Sequence, residues 1–173
     1  TTPEMDVEAK YDLAVNLPAQ TAMIQTFNLS GVQKRQEIIK GTLARPMAIA
    51  WGNTNSAVDE SAFDLSIRGL NLADWRAFAQ GTEPAGKLDL QLNLVSRGAG
   101  KNLAVDLNAT LTDFAARFGS NRVADADLTL TLKSAVSNFA VADITAFEVR
   151  ASHQKQVAAT ITGSGRVDSA TMD

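Results

Sequence analysis

"KLDLQLNLVSRGAGKNLAVDLNAT", residues 87–110, carries an apolar side chain at every second position on either side of a glycine-containing break. Successive side chains of a strand point to opposite faces, so the stretch predicts a two-stranded antiparallel ribbon with one greasy face. Pairing Leu94 with Leu103, Leu92 with Val105 and Leu90 with Leu107 puts every apolar residue on that face. Gly98-Ala99 is then a two-residue turn, in which Gly98 accepts positive φ without a Cβ clash. Lys87, Asp89, Gln91 and Asn93 point the other way, to solvent. A slip of one residue would reverse the faces and expose several leucines at once, each worth about 1.5–3 kcal/mol when fully buried.

The same alternation returns along the chain. Val7, Ala9, Tyr11, Leu13, Val15 and Leu17 form one set; Phe63, Leu65 and Ile67 form another, and Leu128, Leu130 and Leu132 a third. A second ribbon closes around Gln154, pairing Ala151 with Val157, Val149 with Ala159 and Phe147 with Ile161, with His153 at an exposed tip. Continuous Val/Ile runs and helical crossovers, the marks of a parallel sheet, do not occur. The fold expected is all-β, an elongated antiparallel sheet of repeated hairpins.

Two segments depart from this rhythm. "LADWRAF" (72–78) and "LTDFAARF" (111–118) each place leucine, aspartate, an aromatic, and a second aromatic three or four residues later. That spacing puts Trp75 with Phe78, and Phe114 with Phe118, on one side of a short helical turn, with Asp74 or Asp113 accepting the free N–H groups at its start. Both are expected to be helical plugs on the apolar face. Leu90, Leu92, Leu94 and Ser96 recur 38 positions later as Leu128, Leu130, Leu132 and Ser134, an internal repeat of about 38 to 40 residues within 63–134.

Composition removes several classes of function. The 173 residues suit a single β-rich domain, and their 16 basic and 19 acidic side chains are dispersed, leaving no footprint for nucleic acid. With no cysteine there are neither disulfides nor thiolate metal sites. No window approaches the roughly 20 apolar residues of a spanning helix. The chain opens on Thr1 with its first methionine at Met5, so it is read as a fragment of a larger repetitive protein.

The unit of leucine-alternating strands, an aspartate-aromatic turn and then "ADADLTLTLKS" (124–134), followed by glycine-punctuated strands, resembles the AsmA family of bacterial envelope proteins, whose larger relatives include TamB. The resemblance covers residues 60–167 best. It implies an open β-groove in the periplasm of a Gram-negative-type bacterium, tethered to the inner membrane by a helix outside this chain, that moves phospholipid or lipopolysaccharide in outer-membrane biogenesis. Leu88, Leu90, Leu92, Leu94, Leu103, Val105, Leu107, Leu128, Leu130 and Leu132 are then the candidate lipid-facing residues.

Chemical sites are weakly marked. His153, Asp143 and Ser152 could make a hydrolytic trio, yet a lone histidine at a hairpin tip reads as solvated loop. Asp59-Glu60 and Asp125 with Asp127 lack the turn glycine of a calcium loop. "VQKRQEIIK" (32–40) could touch phosphate headgroups, but reads more simply as a charged strand edge. No catalytic residue, metal site or cofactor is expected. The competing non-enzymatic reading is a closed β-sandwich that recognises protein or carbohydrate through loops such as 52–61.

Overall fold

In the computed structural model, which describes residues 4–51, 60–79, 81–138 and 140–168, the strands build one antiparallel sheet. They are β1 (Asp6–Asn16), β2 (Thr21–Gln33), β3 (Gln36–Arg45), β4 (Met47–Ala50), β5 (Glu60–Asn71), β6 (Ala85–Arg97), β7 (Asn102–Phe118), β8 (Asn121–Ser137), β9 (Val141–His153) and β10 (Gln156–Asp168). Their order is β1-β2-β3-β5-β6-β7-β8-β9-β10, with β4 pairing β2 as a continuation of β3 beyond Pro46. The sheet is open and curled, not closed into a barrel. This is the all-β architecture the alternation predicts. The second sheet that a sandwich requires is absent among the described residues.

The register of the 87–110 ribbon differs from expectation. Leu92 pairs with Leu107, Leu94 with Val105, Leu90 with Ala109 and Ser96 with Leu103. The shift is two residues, so every side chain keeps its face. Its cause is a four-residue turn, 98–101, through which Gly98, Ala99 and Gly100 all run at positive φ. The turn is longer because its carbonyls are used elsewhere: Ala99 O accepts the Ala50 N–H at 2.9 Å and Lys101 O accepts the Asn138 N–H at 2.6 Å.

The 147–161 ribbon is corrected in the same way. A two-residue turn, Gln154-Lys155, sets Gln156 opposite His153, and a bulge at Ala158 then brings Ala159 opposite Ala151, Ile161 opposite Val149 and Gly163 opposite Phe147. Ala159 and Ile161 keep the expected face with new partners, but the bulge leaves Val157 opposite Ser152, on the polar side. His153 does lie at the exposed tip.

Of the two expected helical plugs, one forms. Leu72–Phe78 is a single 3-10 helix, but Asn71 caps it, its Oδ1 accepting the Ala73 N–H at 3.1 Å, while Asp74 instead binds Lys34 Nζ at 2.8 Å. Residues 111–118 are strand. Asp113 is a bulge residue with φ 52°, its N–H donating to Asp127 Oδ1 at 2.9 Å. The bulge turns Phe114 onto the face of Leu111, opposite Ala126. Phe118, at the end of β7, is 52% exposed.

Little is fully buried. Among the described residues the buried apolar side chains are Ile38, Met47, Ala48, Ala50, Ala99 and Ala116, mostly small. The chain has an accessible surface of 11319 Å², whereas a compact protein of its mass shows about 8,200 Å². A single curled layer explains the excess.

Candidate functional site: the apolar face

Cross-strand pairing joins the alternating residues into rows that run the width of the sheet. One row is Ala9, Leu29, Gly41, Leu65, Leu92, Leu107, Leu132, Phe147 and Gly163, one residue from each strand of the order above. A neighbouring row runs through Ile39, Ile67, Leu90, Ala109, Leu130 and Val149 to Ile161. Leu88, Leu111 and Leu128 align on one flank of these rows, and Leu94 and Val105 on the other. Beyond them Ser96, Leu103 and Val136 make a further row.

All ten candidate lipid-facing residues therefore share one face. Each is half-buried, sheltered by its row neighbours and fully covered by nothing. Toward the edges the face becomes more open, with Tyr11 68% and Ile161 62% exposed.

Local sequence sets the relief of this face. Gly41 stands where a side chain would meet Leu29 Cβ at 3.1 Å and Phe63 Cζ at 3.4 Å. Without one, Phe63 leans across β3 to meet Phe27 edge-on, ring centres 5.7 Å apart. Two residues before Phe63, Ser61 is buried and donates to Pro46 O at 2.7 Å, where the chain turns into β4.

The 3-10 helix leaves β5 beside the Leu70–Leu88 pair and packs against β6. Its Trp75 is half-buried and stacks obliquely on Phe78, centroids 5.7 Å apart. The Trp75 indole N–H is buried without an acceptor, an arrangement that costs roughly 1–3 kcal/mol. Phe78 is largely exposed, so of the four expected plug aromatics only Trp75 and Phe114 are sheltered.

The reverse face is polar. Asp64, Asn93, Asp106 and Lys133 form one ladder across it, and Ser66, Gln91, Asn108 and Thr131 the next. A hollow of about 370 Å³ lies between them, but its carboxylates and amides pair with one another. Asn93 Nδ2 donates to Asp64 Oδ1 at 2.8 Å, Asn108 Nδ2 to Asp106 Oδ1 at 3.0 Å, and Lys133 pairs with Asp106 at 3.3 Å. This is a solvated surface.

No hydrolytic trio is assembled. Asp143 and His153 occupy opposite ends of β9, some ten residues and about 33 Å apart. His153 Nδ1 lies 3.1 Å from Ala124 O, and Asp143 pairs with Arg166 at 3.8 Å.

The acidic pairs are engaged as well. Glu60 is held by Arg97 Nε at 2.9 Å and Arg45 Nη1 at 3.2 Å. The hydrogen bond and charge of Arg97 hold its carboxyl below the usual carboxylate range. No acidic or histidine cluster fit for a metal occurs among the described residues; Asp59 and most of the 52–61 loop lie outside them. The 32–40 segment is a hairpin inside the sheet with Lys34-Arg35 at its turn, not an edge.

No family model, curated protein or solved structure matches this chain significantly.

Proposed function

We propose that the chain is a non-catalytic, AsmA-like periplasmic domain that holds or conducts lipid along its apolar face, as part of a larger, inner-membrane-tethered protein serving outer-membrane biogenesis. One observation carries this reading: continuous apolar rows lie on a sheet with no second layer over them among the described residues. Eight inter-strand steps of about 4.8 Å make the longest row, Ala9 to Gly163, roughly 38 Å long. One acyl chain spans about 15 Å, half of a ~30 Å hydrocarbon core. The face is therefore long enough for two chains end to end, and a soluble protein that left it bare would carry an aggregation hazard. The polar reverse face suits water on the other side.

The test is a photo-crosslinking residue at Leu92 or Leu130, with Gln91 on the polar face as control, in cells producing the full-length protein. Adducts to phospholipid or lipopolysaccharide from the two leucine sites and not from Gln91 support the reading. Absence of lipid adducts from both, with adducts readily formed by a known lipid carrier in parallel, would overturn it.

A further inference from the structure

The turns at one end of the sheet share a sign of charge. Those joining β2 to β3, β5 to β6, β7 to β8 and β9 to β10 lie side by side along one rim. They carry Lys34, Arg35, Arg76, Arg117, Arg122 and Lys155, all exposed. The carboxylates in the same turns are Asp74, which Lys34 engages, and Glu83; Glu4 and Asp6 stand at the β1 corner, away from β7 and β8. At the opposite rim Arg45 and Arg97 are taken by Glu60 and Arg166 by Asp143. A chain whose net charge is -3 thus presents one basic rim.

Two of these cations face each other. Arg117 pairs with Arg122 across the β7–β8 ladder, one step from its tip. Side chains so opposed start about 5 Å apart, and like charges there repel. Neither arginine has an ion-pair partner among the described residues; Asp127, deeper in the same hairpin, accepts the Asp113 N–H instead. Two guanidiniums at that spacing can grip one phosphate between them, each through paired N–H donors. At the tip itself Phe118, 52% exposed, lies on the apolar side with Ala116 and Val123, and Phe78, on the adjacent β5–β6 connection, is 65% exposed. Leu17 and Trp51 are exposed at the opposite rim, but there every arginine among the described residues is held by a carboxylate.

We propose that this rim docks on a bilayer surface bearing anionic phospholipid, Arg117 and Arg122 gripping a headgroup phosphate while Phe118 and Phe78 enter the interface. Charge complementarity selects the partner. A headgroup phosphate supplies the counter-charge that the opposed arginines lack, and the acyl boundary lies one side-chain length below it, where exposed rings are at home. Lys34, Arg35 and Lys155 add attraction over a Debye length of about 8 Å. The docking goes beyond the lipid-holding reading and stands apart from it, since vesicle binding is measured whichever way the crosslinks at Leu92 and Leu130 fall.

Co-sedimentation with vesicles tests it, comparing phosphatidylcholine alone with phosphatidylcholine carrying phosphatidylglycerol, at low and high salt. The chain should bind the anionic vesicles alone and leave them at high salt. A cation near such a surface contributes about fivefold in affinity, so Arg117→Gln and Arg122→Gln should each weaken binding by about that factor. Lys101→Gln, the same change of charge on the opposite rim, should leave binding unaltered. Without lipid, both arginine variants should melt no lower than the wild type, because a like-charge opposition is relieved; a lower melting temperature would mean that the pair already has a partner within the fold, and would overturn the proposal. So would absence of binding to anionic vesicles, arginine variants that bind as the wild type does, or an equal loss from Lys101→Gln. Saturable binding of inorganic phosphate without vesicle binding would make this a free-phosphate site and refute the docking.

Discussion

Leu92 and Leu107 are direct partners across the β6–β7 ladder, with Val105 one step further along, opposite Leu94. The chain has no native cysteine, so this register can be read covalently. Leu92→Cys with Leu107→Cys should oxidise to a disulfide, because directly opposed residues fall within the ~4.4–6.8 Å Cα range that a disulfide tolerates. Leu92→Cys with Val105→Cys, a diagonal pair, should remain largely free thiol. Thiol titration after mild oxidation decides between the registers, and preferential closure of the second pair would refute the four-residue turn.

Trp75→Ala should lower the unfolding free energy by about 2–4 kcal/mol, less than a fully buried aromatic because the ring is only half-covered. Phe118→Ala, at an exposed strand end, should stay within about 0.5 kcal/mol. Urea denaturation of both variants would show whether the surviving helical plug and its supposed twin differ as described. Equal effects would contradict the structure.

That contrast shows what the sequence could and could not convey. Trp75 and Phe78 are three apart, an odd spacing that cannot share a strand face, so a helical turn was the sole regular solution. Phe114 and Phe118 are four apart, and four is compatible with a helical face and with a strand alike. The tie was broken by Asp113, a residue that tolerates positive φ and made a bulge here in place of a helix cap.

Faces were legible for a similar reason, and registers were not. A period of two fixes which side chains lie together but is blind to slips of two, which only the turn contacts of Ala99 and Lys101 settle. β2 and β3 were hidden because Gly31 and Gly41 stand at apolar-face positions and bulges near Gln25 and Ile38 break the alternation. The ten candidate face residues were readable since no such interruption falls within 88–94, 103–107 or 128–132.

Gly86 supports the same bulge from the neighbouring strand. Its φ is 127°, and an added Cβ would lie 2.9 Å from Thr112 O and 3.1 Å from Phe114 Cα, both backbone. Gly86→Ala should therefore destabilise by more than the roughly 1–2 kcal/mol that positive φ alone costs. Gly69→Ala, with φ 61° and nothing within 4 Å, should cost about that lesser amount. Paired thermal melts would check the ranking.

Acid should weaken the end of the sheet held by Glu60. Its folded pKa lies below the ordinary value because Arg97, and secondarily Arg45, favours the carboxylate. The stabilisation is thus complete above the ordinary carboxylate pKa and is lost as pH falls through the folded one. Glu60→Gln should be less stable than wild type near neutrality, and the gap should close on acidification. Since the group is exposed, the effect is small. A gap that widens at low pH would reverse the assignment.

The order of strands carries a kinetic consequence. Each ladder joins segments close in the chain, the longest connections being residues 46–59 between β3 and β5 and residues 72–84, with the 3-10 helix, between β5 and β6. Loop closure is inexpensive at every step, so the sheet can grow hairpin by hairpin and come apart in reverse. Amide exchange should accordingly be graded across it, fastest in β1 and β10 and slowest in β6, β7 and β8, whose ladders on both sides must open first. A molecule built this way has no single nucleus whose loss melts everything at once, and a ligand gripping three adjacent strands would shift local opening there before it altered the rest.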